Sequence, residues 1–473
     1  MPGPSPFDEM TNADGSVREP YLILDQWLKE QQPDALDLMA ADAEGIFRRL
    51  GITFAVYGSD EGTEKLIPFD VIPRIISAIE WRKLSKGIEQ RVRALNAFLH
   101  DVYHRQEILK AGRVPEKLIL NNSAFCPEMM GLDPARGIYS HIIGVDIVRV
   151  GPDDWYVLED NLRTPSGVSY MLEDREAMLQ LAPDLFQRTK VAPVETYPEN
   201  LRRTMESVAP PNASSSPTLA VLTPGIYNSA YFEHSFLADQ MGAELCEGQD
   251  LFVENGKVYA RTTTGPRRID VIYRRIDDDY IDPLTFKPDS MLGVPGLFDA
   301  YRAGNVTLVN APGTGIADDK AVYTFVPEII EFYLGEKALL KNVPTYNCTI
   351  ADEQAYVLEN IAELVVKEVH GSGGYGMMVG PTSTKEMHDI FRDKILARPD
   401  NYIVQPTLAL STCPTYVDAG IAPRHVDLRP YVLVGDQIRI TPGGLTRVAL
   451  KGGSLVVNSS QGGGTKDTWV LED

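Results

Sequence analysis

Residues 141–161 constrain the chain most: HIIGVDIVRV is followed by GPDD and then by WYVLEDN. Two β-rich runs around a short polar loop read as an antiparallel hairpin, with the loop at 151–154. In that register Val150 pairs with Trp155, which sets Asp146 directly across from Glu159. Side chains alternate along a strand, so Glu159 and Asn161 share one face and Asp160 takes the other.

Two carboxylates opposed in this way have β-carbons about 5 Å apart and repel each other. A divalent cation removes the conflict, and two carboxylates with an amide oxygen are the hard oxygen donors that suit magnesium. A solvated hairpin end satisfies the same pattern.

With 45 basic and 66 acidic residues, the formal charge of -21 repels phosphate backbones and anionic lipid. Nucleic acid and membrane are therefore not expected as partners, and an anionic small ligand needs local cations or a metal. The 44% hydrophobic and 23% charged residues fit a globular chain, and 473 residues allow more than one domain. MPGPSPFDEM lacks the basic and apolar regions of a signal peptide, and no apolar run approaches the roughly 20 residues that span a bilayer. Cys126, Cys246, Cys348 and Cys413 form no CxxC pair. A reducing cytoplasm is the expectation.

Ile88, Val92, Leu95, Leu99 and Val102 fall at helical spacing ahead of the hairpin. APPNASSSP, residues 209–217, has linker composition. Beyond it, TLAVLT, a helical run around FEHSFLADQMG, a turn at Asn255-Gly256 and IDVIYRRI suggest a small open α/β segment to about residue 312.

Four further features bear on chemistry. In KEVHGSGGYG, strand gives way to a loop holding Gly371, Gly373, Gly374 and Gly376, then to strand again; several N–H groups there can converge on phosphate, with Lys367 just upstream. A mobile hairpin tip has the same composition. Lys320 opens a helix carrying Val322, Val326 and Ile329 or Ile330 on its apolar face; a cation there opposes the helix dipole unless an anion lies near. A surface lysine is the plain alternative. Gln405 ends the strand in IVQP, placed either to read a purine edge or to face solvent. SSQGGGTKD, residues 459–467, is a second glycine-rich turn, expected to be an ordered, ligand-facing loop bearing Lys466.

Arg163, Arg274, Arg275, Arg424, Arg429 and Arg447 stand in polar, strand-like settings, suited to carboxylate or phosphate and equally to buried pairing with aspartate. The acidic run 277–279 is expected to serve as such a partner or as a helix cap. His234 and His425 are expected to be structural, and no histidine pair is expected to ligate a metal.

Taken together, LEDNLR at 158–163, ADDK at 317–320 and VVKEVHGSGGYG at 365–376 resemble the ATP-grasp enzymes. Their order, metal motif first, resembles the circularly permuted branch of type 2, related to glutathionylspermidine synthetase. PFDVIPRII, LTPGIYNSAYFEH, IYRRIDDD, HVDLRPY, GGLTRVAL and NSSQGGGTKDTWVL extend the likeness over most of the chain from about residue 50. The resemblance implies a permuted ATP-grasp fold of mixed α+β and α/β character, with a small open α/β, pre-ATP-grasp-like domain mid-chain. Its parts would be 1–208 with the metal motif, 217–312, and 313–473 with the ATP lysines and glycine loop.

Position by position, the resemblance makes Asp146, Glu159 and Asn161 magnesium ligands. Lys320, Lys367, Gly371, Gly373, Gly374 and Gly376 become ATP-phosphate contacts, Gln405 lies beside the adenine, and Lys466 is a further nucleotide contact. Related synthetases carry an arginine two residues before the first metal aspartate, where this chain has Gly144. Arg163, Arg275 and Arg429 are the candidates to replace it at an acyl phosphate. The implied activity is ATP- and Mg2+-dependent ligation of a small-molecule or peptide carboxylate to an amine. No amidase-like stretch accompanies it. The alternatives are a non-catalytic ATP-sensing or scaffold protein, and an ATP-dependent kinase lacking the amine half-reaction.

Overall fold

The computed structural model describes residues 6–55, 64–369, 376–454, 457 and 463–473. Helices and several separate sheets are interleaved along the chain.

The helix Ala78–Val102 starts at Ser77, whose side chain accepts from the Glu80 N–H while the Glu80 carboxylate accepts from the Ser77 N–H. This reciprocal cap satisfies two end donors and fixes where the helix begins. Ile88, Val92, Leu95, Leu99 and Val102 are all fully buried, as their spacing predicts, in a core shared with Ile143, Val145, Ile147 and Val157 of the hairpin. The long helix thus backs the strands that carry the candidate metal ligands.

The hairpin strands Ile142–Arg149 and Trp155–Asn161 sit mid-way in a five-stranded sheet. Lys341–Asn342 flanks one edge in parallel, and Tyr431–Val434 with Ile438–Ile440 extend the other. A second sheet joins Thr446–Val448, Gly464–Val470 and Phe69–Ile76, bringing the end of the chain beside an early segment. A third, antiparallel sheet holds Leu364–Glu368 between Met377–Val379 and Tyr402–Pro406. The expected strand–loop–strand hairpin around the glycine loop is therefore present at its two described arms.

Between residues 219 and 309, four parallel strands take the order Thr307–Val309, Val271–Arg274, Leu219–Leu222, Glu244–Cys246. Asn255 and Gly256 both have positive φ, at 51° and 70°, and close the adjoining hairpin as a tight two-residue turn. All four cysteines are free and buried. Among the described residues no helix is long and apolar enough to cross a membrane.

Candidate active site

The hairpin brings Asp146 opposite Glu159 and Gly144 opposite Asn161. The loop is one residue longer than the sequence suggests, because the Val150 N–H closes on the Asp154 carbonyl at 3.0 Å and the ladder starts with Arg149 across from Trp155. Continued unbroken, that register would oppose Asp146 to Leu158. An irregularity between Val157 and Glu159 inserts one extra residue and swings Glu159 onto the face of Asp146. The open end of the hairpin is clamped by buried Asn310. Its carbonyl accepts the His141 and Ile142 N–H groups at 2.7 and 2.8 Å, and its amide donates to the carbonyls of Ile142 and Leu162, each at 2.7 Å.

Asp160, on the opposite face, is buried and held bidentately by Arg91, with both contacts 2.6 Å. Asn161 turns its amide towards Asp146 Oδ1 at 3.4 Å. Glu159 keeps 30% of its side chain exposed, with its nearest cations, Lys320 Nζ and Arg429 Nη2, each 3.9 Å away.

Asp146 is fully buried, yet its carboxyl lies well below the usual carboxylate range. Burial alone would raise it; the guanidinium groups of Arg429 and Arg447 more than offset that cost. Arg429 donates from Nε and Nη2 at 2.5 and 2.7 Å, and Arg447 from Nη2 at 2.7 Å. Arg447 is in turn held by buried Asp427. Arg447 belongs to the polar arginines noted in the sequence, but nothing local marks it as a partner of Asp146, 301 residues away.

The three arginines proposed for an acyl phosphate occupy different surroundings. Arg429 reaches the Ser166 carbonyl at 3.2 Å in addition to Asp146. Arg275 donates to the Pro165 carbonyl at 2.7 Å, to the Ser166 hydroxyl and to Glu233 at 3.2 Å, so both converge on the loop that follows LEDNLR. Arg163 is 40% exposed and lies between Asp277, at 3.2 Å, and Asp318, at 3.6 Å. Arg274 pairs with Asp278 at 2.6 Å, so the acidic run 277–279 serves arginines, as expected.

Asp319 caps the helix Lys320–Tyr323, accepting from the Ala321 and Val322 N–H groups, and Lys320 therefore emerges beside Glu159. Lys367 Nζ donates to Gln405 Oε1 at 2.8 Å, and Gln405 Nε2 donates to Thr345 at 3.0 Å. Burial lowers the Lys367 ammonium to about 8; the charge of Lys320 acts in the same direction, while Glu159 and Asp146 pull the other way. Lys367 thus shares one electrostatic site with the other three. Gln405 is buried and spends its amide on orienting Lys367. Gly376 lies at the described rim of the glycine loop with φ +70°, a backbone conformation that strains other residues, and an added β-carbon would push the Glu368 side chain aside. Gly371, Gly373 and Gly374 lie outside the described residues.

Lys466 departs from expectation. Residues 464–470 form a strand, while 459–462 of the expected loop lie outside the described residues, and Lys466 is fully buried with Nζ 2.6 Å from Asp70 and bonded to the carbonyls of Ile72 and Pro414. Thr465 lies across from Arg447, so Lys466, one residue on, points to the opposite face of that sheet. His234 accepts or shares a proton with Thr223 at 2.9 Å and is driven to about 2 by burial, which keeps its ring neutral. His425 faces the Leu410 carbonyl at 2.7 Å. Both fit the structural role expected of them.

Four cations (Lys320, Lys367, Arg429, Arg447) therefore meet three carboxylates (Asp146, Glu159, Asp427) in one place. Against an overall charge of -21, this local excess of positive charge suits a polyanion.

The family model for circularly permuted ATP-grasp type 2 proteins matches residues 73–449. An uncharacterised protein of Synechocystis sp. is 52% identical over 467 residues, 98% of this chain and 97% of that protein. A Frankia alni protein provisionally named a glutamate–cysteine ligase is 42% identical over 99% of this chain, which spans 54% of its length. The structure of a glutathione synthetase-like effector from Globodera pallida superposes with a TM-score of 0.59 at 12% identity, covering 93% of this chain and 98% of that one, a likeness of fold.

Proposed function

The chain belongs to the circularly permuted ATP-grasp type 2 family, and from that premise we propose that it is an ATP- and Mg2+-dependent carboxylate–amine ligase acting through an acyl phosphate. One observation carries the reading: Glu159, opposed to Asp146, lies 3.9 Å from Lys320, and the charges of both carboxylates act on Lys367, the two lysines coming from segments more than 150 residues downstream.

The donor set fits a hard divalent cation. Asp146, Glu159 and Asn161 can each supply an oxygen, and the cations nearest Glu159 stand back at 3.9 Å rather than occupying it; the Asp146 oxygens, held by Arg429 and Arg447, would be shared with those arginines. Magnesium held there would neutralise and orient phosphate oxygens. Lys320, Lys367 and the arginines would stabilise charge on the transferring phosphoryl group. A substrate carboxylate oxygen attacks the γ-phosphorus and the bond to ADP breaks. The amine nitrogen then attacks the acyl carbon, phosphate leaves with the C–O electron pair, and the nitrogen loses a proton. Arg429 and Arg275, both bonded to the 165–166 loop, would be the arginines that meet the acyl phosphate. The substrates are proposed as a class, a small-molecule or peptide carboxylate and an amine, in keeping with the sequence resemblance to glutathionylspermidine synthetase; the name borne by the Frankia protein points to the same bond type.

The test incubates the protein with ATP, Mg2+ and pooled amino acids, short peptides and polyamines. Mass spectrometry should find a product lighter by one water than its two parents, with ADP formed in step. Glu159→Gln and Lys367→Ala should each abolish ADP formation with the fold intact by circular dichroism. Turnover at the wild-type rate in both variants would remove the site assignment.

A further inference from the structure

The end of the long helix holds a group of side chains that the ligase reading does not use. His100 lies in the helix Ala78–Val102, and His104 lies in the turn just beyond it. HDVYH spaces them four apart, contrary to the expectation that no histidine pair suits a metal, and residues so spaced share one helix face. Their rings stack with centroids 4.2 Å apart and planes within 3°, so the half-exposed His100 ring would turn out of the stack for both Nε2 lone pairs to meet one ion, while His104 stays anchored through Nδ1. Asp133 arrives from a later loop, its Oδ1 3.5 Å from His100 Nε2 and 3.1 Å from His104 Nε2. We propose that His100, His104 and Asp133 form a binding site for a zinc-class divalent cation, separate in chemistry from the magnesium site.

His104 Nδ1 lies 2.9 Å from the His100 carbonyl oxygen. A carbonyl can only accept, so Nδ1 carries the proton and Nε2 of the neutral ring keeps its lone pair. The same Nδ1–H to carbonyl bond is the usual second contact of a metal-ligating histidine. Nε2 is buried and makes no hydrogen bond among the described residues, although Asp133 stands near it. A bare lone pair facing a carboxylate is repulsive until a cation lies between them. A proton on Nε2 would answer the charge, but Nε2 and Oδ1 do not meet hydrogen-bond geometry.

The spacing of Asp133 from each ring nitrogen is right for a metal. Zinc bonds of about 2.0–2.1 Å at tetrahedral angles place two donors roughly 3.3 Å apart, and the observed 3.1 and 3.5 Å bracket that distance. All three donor atoms lie within 4.8 Å of one another. His100 and Asp133 are 45% and 76% exposed, which gives the ion a way in and leaves room for water to complete its shell. Two imidazoles and one carboxylate select zinc, nickel, copper or cobalt over magnesium. Bound there, the ion would tie the end of the helix to the loop that leads into the strand carrying Asp146.

The test is calorimetric titration of Zn2+ into the full chain, with millimolar Mg2+ present to occupy sites built from oxygen alone. One equivalent should bind and raise the thermal midpoint, and Co2+ should give the visible absorption of a four-coordinate site. His100→Ala and His104→Ala should each weaken binding by at least the roughly tenfold that losing even an outer partner costs. His100→Gln guards against a folding defect, and His388→Ala should bind as wild type. Absence of binding, equal binding in all variants, or a His104 ring protonated on both nitrogens with no metal uptake would each overturn the proposal. ATP turnover is not the readout, so a failed ligase assay leaves this site's test intact.

Discussion

Asp146 and Arg429 face each other across neighbouring antiparallel strands, with Arg429 Nε and Nη2 at 2.5 and 2.7 Å from the two carboxylate oxygens. Gly144 pairs with Tyr431 and Ile147 bridges to Leu428, which fixes the opposition of residues 146 and 429. The aliphatic stem of Arg429 crosses the space above Gly144, where an added β-carbon would lie 3.4 Å from Arg429 Cδ and 3.2 Å from Pro165 Cβ. The position where relatives are expected to carry an arginine is thus the position over which Arg429 lies.

Gly144→Val should accordingly displace Arg429. Overpacking of this kind costs about 1–3 kcal/mol, read as a lower urea midpoint, and nucleotide turnover should fall with it. Wild-type stability and turnover together would show that Arg429 does not need the space.

Lys367 predicts a pH dependence of nucleotide binding. Burial holds its ammonium at about 8, so above that pH the free protein carries it neutral. ATP phosphates favour the charged form, so binding near pH 8 should take up about half a proton and weaken as pH rises further. Calorimetry in two buffers of different ionisation enthalpy measures the uptake. Lys367→Arg, charged throughout, should abolish it; equal uptake in that variant would assign the proton elsewhere.

Much of this site was legible because its central element is local. Twenty residues, 142–161, contain both strands of the hairpin and its loop, and alternation alone separates Glu159 and Asn161 from Asp160. The Asp146–Glu159 opposition emerges from a loop one residue shorter than the real one and from an unbulged ladder, two differences that cancel. Leu158 gives no sign of the bulge, since an apolar residue fits the alternation. Arg447 and Lys466 were beyond reach for a different reason. Their partners, Asp146 and Asp70, are set by the pairing of strands hundreds of residues apart, and no periodicity encodes that. A lysine behind three glycines looks like a phosphate contact until a buried aspartate is found across the sheet.

Asp318 predicts a second pH effect, on stability. Its carboxyl is pushed up to about 7, chiefly by burial, although Arg163 and the N–H groups of Leu162 and Arg163 pull it down. The folded value lies above the unfolded 3.8, so the stabilisation is complete below the unfolded value and is lost as pH rises towards 7. The loss is of the order of a few kcal/mol. Asp318→Asn retains a carbonyl to accept both N–H groups and should flatten the slope of the urea midpoint between about pH 4 and 7. An unchanged slope would mean that Asp318 is charged throughout in the folded protein.

Arg91 and Asp160 form a pair with side chains 1% and 0% exposed, on the face of the strand turned away from Glu159 and Asn161. Arg91 also donates to Asn342 at 2.7 Å and lies over the Tyr323 ring, so it joins the long helix, the hairpin and the edge strand. Arg91→Ala leaves the Asp160 carboxylate buried without its partner, a loss expected to cost about 3–5 kcal/mol. The double substitution Arg91→Met with Asp160→Leu removes both charges and should recover most of it. Urea denaturation of the single and double variants decides the matter: a single-variant loss below about 1 kcal/mol would mean that water reaches Asp160 and screens it. Because Asp160 sits between Glu159 and Asn161 in the chain, loosening this anchor should also weaken ATP–Mg2+ protection against thermal unfolding by more than the stability loss alone explains.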